Sequence, residues 1–420
     1  MKLCHNMNKY IYFLGVYMIK ILHTSDWHLG KSLYDFPRYK EFQKFLDFLY
    51  GVLKKHQIEI LLICGDIFDT QVASNQAQEL YYNFLNKVQT LKSLENIVII
   101  GGNHDSPTFL KAARQILKNL KVEIVSSFTG NLEDEVLTLY DKQGNPKLII
   151  GAVPFLRNRD VREASFGEEL EQRNLNLRQG MAAHYQKVGN LCKKAAHITN
   201  PPLPIIGTGH LALSSMLHTS KNHDENIFIG TLDMFDAQII PKCFSYTALG
   251  HMHKPIKISD TIYYCGSPLQ LNFNEAASCK YLNLIELSDK AEVTQIEVPI
   301  FQKIKSLLGD KQALLSELKK LISLNESFLV ELNYNGNTPI GTLYDNAHEL
   351  CEGTQVKILI IRDLNIRIKS LNPQYTGEIL SEISVQEVFN RCLKENNIHE
   401  DDLIEYQNTF KELLEQMHNQ

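Results

Sequence analysis

The sequence predicts an α/β protein on a largely parallel sheet, followed by a smaller α+β unit and a helical tail. Three observations predict it: short apolar runs that end in polar clusters, helical patterns between the first of these runs, and a change of character after about residue 285.

The runs are "IKILHTSD" (19–26), "EILLICGD" (59–66), "NIVIIGGNHD" (96–105), "LPIIGTGH" (203–210) and "YTALGHMH" (246–253). Their length, β-branching and terminal glycines favour buried strands over helices. Between them, Phe42, Phe45, Leu46, Leu49 and Leu53 recur at intervals of three and four, one apolar stripe of a helix over 38–56. A second helix is expected from Ser74 through "NQAQELYYNFLNKV" (75–88). A third starts at Ser106-Pro107, where serine caps the free amides and proline fits the first turn. Strand, helix, strand, helix places ligands outside the carboxyl ends of the strands, where the polar clusters lie. Farther on, 306–324 reads as a helix, 327–334 and 356–363 as strands, and 384–397 and 402–417 as helices.

With 420 residues, 44% hydrophobic and 22% charged, the chain has ample material for two or three cores, which excludes a disordered class. The net charge of -5 excludes a globally basic surface, although a local groove would not show in a total. Residues 301–420 hold 12 Lys/Arg against 18 Asp/Glu and residues 1–300 hold 31 against 30, so an anionic ligand belongs to the first 300 and a protein partner suits the acidic remainder. Eight cysteines without a C-x-x-C pair fit neither a disulfide framework nor a zinc knuckle, and a cytoplasmic location is expected. The stretch "YIYFLGVYMIKIL" (10–22) has no small-residue cleavage site and is too short for a span. Residues 1–17 are therefore read as an N-terminal extension, with Met18 an alternative start, and no membrane partner is expected.

The strand-end clusters contribute Asp26-x-His28, Asp66 with Asp69, Asn103-His104-Asp105, His210 and His251-x-His253. In extended backbone, residues i and i+2 point the same way, so each x-spaced pair can address one ion. Carboxylate, amide and imidazole donors without thiolate suit Mn²⁺, Fe²⁺ or catalytic Zn²⁺, with Mn²⁺ the first choice. Each cluster alone has a bland reading: Asp-x-His arises by chance, and Asp66 can cap a turn. Isolated histidines such as His56, His197 and His399 are read as bystanders. Five clusters at five strand ends make coincidence a poor competitor.

"DWH", "GDIFD", "GNHD", "GHLAL" and "GHMH", in this order, resemble the five motifs of the calcineurin-like metallophosphoesterases. "MIKILHTSDWHLGKSLYD" (18–35), "PFLRNRDVRE" (154–163), "YTALGHMHKPIKI" (246–258) and "IYYCGSPLQLNFNEA" (262–276) are similar to the SbcD family of bacterial nuclease subunits, clearly over 18–290 and more loosely beyond. The resemblance implies a sandwich of β-sheets flanked by helices over 18–290, a capping, DNA-positioning α+β domain over 291–375, and a helical tail over 376–420 that binds SbcC. It implies two divalent ions, one held by Asp26, His28, Asp66 and His253, the other by Asp66, Asn103, His210 and His251, with the two oxygens of Asp66 bridging them.

His104 would serve the leaving oxygen, with Asp105 orienting it. Asp69 has a supporting role, since archaeal and eukaryotic relatives carry histidine there. "GSP" (266–268) is expected to turn near the metals. Arg157, Arg159 and Arg162 are candidates for DNA phosphate contact. The implied activity is ATP-dependent 3'-5' exonuclease action on double-stranded DNA and endonuclease cutting of single strands and hairpins, in repair, replication and recombination. The implied partner is the SbcC ATPase in a two-by-two assembly, with a homodimer through the nuclease domain. ATP would bind there, because this chain has no G-x-x-x-x-G-K-[ST] loop. The alternatives are a small-molecule phosphodiesterase or phosphatase, and a scaffold without catalysis.

Overall fold

The computed structural model describes residues 18–112, 120–162, 169–214, 234–336, 340–364 and 410. The chain divides into two compact units, Met1–Lys305 and Ser306–Gln420. The N-terminal extension, 365–409 and thus nearly all of the expected helical tail lie outside the described residues.

In the first unit, β1 (Ile19–Thr24), β2 (Ile60–Cys64), β3 (Asn96–Ile100) and β4 (Val122–Val125) are parallel neighbours. The second sheet is made from β5 (Val136–Tyr140), β6 (Pro146–Gly151), β7 (Ile205–His210), β8 (Tyr246–Gly250), β9 (Ile256–Lys257) and β10 (Ile262–Tyr264), in the order β9-β10-β8-β7-β6-β5. Its four central strands run parallel. The hairpin of β11 (Lys280–Leu287) and β12 (Ala291–Val298) returns to the first sheet, β11 antiparallel to β1, for the order β12-β11-β1-β2-β3-β4.

Alternation along the strands builds three packed layers of side chains. Ile21, Ile60, Leu62, Val98 and Ile100 meet Leu148, Ile150, Ile206 and Ala248 between the sheets. The intervening Leu22, Leu61, Ile63, Ile97 and Ile99 face outward onto α1 (Tyr39–His56) and α2 (Asn75–Val88). On α1 the buried set is the expected stripe with Glu41 and Val52 added, and on α2 the Ser74 hydroxyl accepts the Ala77 N–H as the cap. The outer face of the second sheet packs on α5 (Leu170–Ala196) through Leu177, Met181, Tyr185, Val188 and Cys192. Two shorter helices precede α5: α3 (Pro107–Ala112), capped by Ser106, and α4 (Asn158–Val161). All five apolar runs are strands, and the carboxyl ends of β1, β2, β3, β7 and β8 carry the polar clusters.

The expected boundary at 290 falls in the turn between β11 and β12, which pair along eight positions, and the units part after Lys305. β13 (Lys303–Gly309), which spans the division after Lys305, forms a three-stranded sheet with β14 (Phe328–Tyr334) and β15 (Val356–Asp363). It shares a core with α6 (Lys311–Ser323) and α7 (Gly341–Cys351) that includes Leu314, Leu318, Val330, Leu332, Leu343 and Ala347. The expected helix over 306–324 begins only at Lys311: Asp310 caps it, its carboxylate accepting the Ala313 N–H at 2.8 Å, and "SLLG" is strand. Among the described residues no helix is long and apolar enough to cross a membrane.

Candidate metal centre

The loops after β1 and β2 are laced by their backbones. Asp26 N–H donates to Gly65 O, His28 N–H to Asp66 O and Leu29 N–H to Ile67 O, at 2.8–3.0 Å. Trp27, between the two β1 donors, turns fully inward: its indole N–H donates to Thr24 Oγ1, and its ring meets Phe45 and Phe84 edge-on. The helices of the first layer thus pin "DWH" to the sheet. Asp26, His28, Asp66 and His251 all have positive φ, between 48° and 95°. The i, i+2 pairs are therefore not in the extended backbone that the spacing argument assumed. Non-glycine residues held there store strain of about 1–3 kcal/mol each and cluster at functional sites.

Three sets of donor atoms result, each with ligand atoms within 4.8 Å of one another: Asp26, His28 and His253 form the first, Asp66, His210 and His251 the second, and His28 is shared with Asp69 and His104 in a third. Asp26 and His28 share a set, whereas His251 and His253 separate. Asp66 joins the first two sets through one oxygen: Oδ2 lies 3.6 Å from His28 Nε2 and 3.3 Å from His210 Nε2, while Oδ1 accepts the His104 N–H at 2.9 Å. Oδ2 is thus the Asp66 oxygen that faces both imidazoles, while Oδ1 faces the backbone of the β3 loop. Asn103 Oδ1 completes the second set, 3.0 Å from His210 Nε2 and 2.9 Å from His251 Nδ1.

His210 Nδ1–H donates to the Cys64 carbonyl at 2.9 Å, which fixes the tautomer and aims the Nε2 lone pair at Asp66 and Asn103. Burial opposes charge on His210, but Asp66 outweighs it and pushes its pKa up to about 9. Burial likewise opposes charge on Asp66, yet His210 holds it well below the usual carboxylate range. Burial lifts Asp26, and burial with the neighbouring His210 pulls His251 down to about 4. His28 Nδ1 is buried without a hydrogen bond, 3.3 Å from Asp69 Oδ1. Buried carboxylate, amide oxygen and imidazole donors without thiolate fit two hard-to-borderline divalent ions.

His104 lies exposed beside the first two sets, its ring edge-on to His28 with centroids 4.9 Å apart. Its Nδ1–H donates to the Asp69 carbonyl at 2.8 Å. The Asp69 carboxylate is 3.0 Å from Lys31 Nζ; burial opposes its charge, but His28 and Lys31 bring it down to about 2. Asp105 differs from expectation. Its carboxylate accepts the N–H groups of Gly102, Phe68 and Ile67, clamping the β2 and β3 loops together, and the Asp69 carbonyl orients His104 instead.

Arg157 and Arg159 line a groove of about 640 Å³ with Asn103 and Gln71; Arg162 is not among its lining residues. The "GSP" turn does lie at the site. Ser267 N–H donates to His253 O, and Lys280 bridges His253 O, Ser267 Oγ and Glu275. Glu275 Oε1 sits 3.5 Å from His253 Nδ1. Glu275, Lys280, Trp27 and Lys31 escape sequence reasoning; only the wider likeness of "GSPLQLNFNEA" marked the Glu275 region.

The Calcineurin-like phosphoesterase family model matches residues 19–255, more than half of the chain. A second model, the Type 5 capsule protein repressor C-terminal domain, matches 300–397. The SbcD subunit of the SbcCD nuclease of Escherichia coli (strain K12) is 32% identical over 94% of this chain and 98% of its own length. The chain belongs to the SbcD family of calcineurin-like phosphoesterases. The corresponding SbcCD nuclease subunits of Rhodobacter capsulatus and Bacillus subtilis, each 29% identical, cover 67% of this SbcD-family chain and 69% of their own lengths. The SbcD-family chain is accordingly a phosphodiester hydrolase of a metal-binding fold, and the donor sets occupy its strand ends.

Proposed function

We propose that this chain is the nuclease subunit of an SbcCD-type complex: with an SbcC ATPase, two copies of each, it degrades double-stranded DNA 3'-5' in an ATP-dependent way and cuts single strands and hairpins in repair, replication and recombination. The observation that carries the reading is the convergence of seven donors, joined by Asp66 Oδ2, beside a groove holding Arg157 and Arg159.

Asp26, His28, Asp66 and His253 would hold one ion, and Asp66, Asn103, His210 and His251 the other, Mn²⁺ being the first candidate. When bound, such a pair supplies Lewis acidity to the phosphodiester and an acidified water. The protein's own work is positional. The laced loops hold Asp26, His28 and Asp66, and the Cys64 carbonyl fixes His210. His104, held by donating Nδ1–H to the Asp69 carbonyl, would in its imidazolium form present Nε2–H to hydrogen-bond or protonate the departing oxygen. Arg157 and Arg159 supply cations for flanking phosphates. The six free cysteines among the described residues suit a reducing cytoplasm. Residues 291–375 would position DNA, the tail would dock SbcC, and the nuclease domain would form the homodimer contact.

The test is cleavage of blunt and hairpin DNA with and without SbcC, ATP and Mn²⁺. Mn²⁺-dependent cutting is expected, with duplex degradation needing SbcC and ATP. Cleavage of small phosphate esters with no DNA cutting in any combination would establish a small-molecule phosphoesterase instead.

A further inference from the structure

We propose that segment 154–159 divides the approach to the donor sets into two compartments: an apolar slot that receives one unstacked nucleobase beside the cleaved bond, and the arginine groove that receives the adjoining phosphates, with Phe155 as their shared wall. This rests on the DNA phosphodiesterase reading and adds what part of the substrate the enzyme grips.

The slot has a volume of about 190 Å³. Phe155, Leu156, Met181, Tyr185, Leu211 and Phe235 line it, and so do His210 and His251 of the second donor set. Its volume is below the roughly 300–1,000 Å³ of pockets for drug-sized ligands, which suits one flat ring system rather than a whole nucleotide. Phe155 also borders the groove that holds Asn103, Arg157 and Arg159. Its backbone N–H donates to Gly101 O at 2.8 Å, so the wall is tied to the loop that carries Asn103. Its ring lies edge-on to His210, centroids 6.3 Å apart. Asn158 borders both compartments and offers an amide to a base edge.

A phosphodiester at the donors has a sugar on each side. The apolar compartment offers its base a desolvated, aromatic surface, and the cationic compartment offers the next phosphates their counter-charge. A base in a closed duplex cannot reach such a slot, so the slot favours ends and loops, where unstacking costs least.

The test compares kcat/KM on DNA carrying an ordinary nucleotide, or an abasic tetrahydrofuran residue, on either side of the cleaved bond, with Mn²⁺, ATP and the ATPase partner present. Wild type is expected to prefer the ordinary DNA at one placement by roughly tenfold, the scale of stacking on an aromatic side chain. Phe155→Ala should bring that ratio toward one. Ala212→Leu, which fills the slot from another wall, should do the same, and Mn²⁺ affinity and melting temperature show that each variant is folded. Equal wild-type rates on ordinary and abasic DNA, or ratios unchanged in both variants, overturn the slot while leaving the nuclease reading intact. Cleavage of neither DNA by wild type overturns the nuclease reading and the slot with it.

Discussion

Gly250→Ala tests the orientation of His210 without replacing any donor. Gly250 pairs with His210 across β8 and β7. A methyl group there would collide with the Cys64 carbonyl oxygen, the atom that accepts the His210 Nδ1–H, and would meet Nδ1 itself at 2.7 Å. Neither obstacle is the end of a flexible chain, so the strands must part. Overpacking of about 1–3 kcal/mol and a weakened hydrogen bond of about 1 kcal/mol give a destabilisation of roughly 2–4 kcal/mol. Loss of the group that orients a metal-binding imidazole lowers affinity by about 10–100-fold. Gly51→Ala is the control: it lies within α1, a methyl meets nothing within 4 Å, and the protein should gain up to about 1 kcal/mol. Urea unfolding and Mn²⁺ titration calorimetry measure both. If Gly250→Ala binds Mn²⁺ within about twofold of wild type, the Cys64 carbonyl does not orient His210 for the metal.

Three further outcomes are expected. His104→Ala should keep both metal sites, by titration, while turnover falls about 10²–10⁴-fold; lost metal would make His104 a ligand instead. Asp105→Ala should cost at least about 3 kcal/mol in urea unfolding, since three N–H donors lose their acceptor, and Asp105→Asn should recover part; equally mild effects would refute the clamp. Metal binding should strengthen as pH rises toward 9. His210, raised to about 9 when metal-free, must give up its proton, whereas Asp66, held low, has none to lose at neutral pH. Calorimetry in two buffers of different ionisation enthalpy should show release of about one proton near neutrality, and no release would contradict the Asp66–His210 coupling.

The strands and α1 were legible because burial imposes a period on the side chains, as Phe42, Phe45, Leu46, Leu49 and Leu53 show. Helix α5 went unread. Its inward residues 177, 181, 185, 188 and 192 are spaced for a helix, but Gly180, Gly189 and a largely polar face dilute the stripe. The donors were legible because each cluster ends a strand, and "GNHD" was readable as far as Asn103 and the Ser106 cap. The role of Asp105 was not, since its partners Ile67 and Phe68 lie 38 and 37 residues away and are backbone groups that no residue pattern records. The orientation of the Asp66 carboxylate was hidden for the same reason: it depends on where the His104 amide falls.

The lacing of the β1 and β2 loops continues the parallel ladder of the first sheet past its strand ends, through Asp26, His28 and Leu29 to a bridge between Leu29 and Phe68. Those amides should exchange with deuterium as slowly as the core strands, in metal-free protein as well as metal-loaded. An ion then meets a preformed cage, so little of its binding free energy is spent on ordering the chain. Chelation should strip the metal quickly and reversibly, leave the amide exchange pattern of the cage unchanged, and lower the melting temperature only by the mass-action share of metal binding.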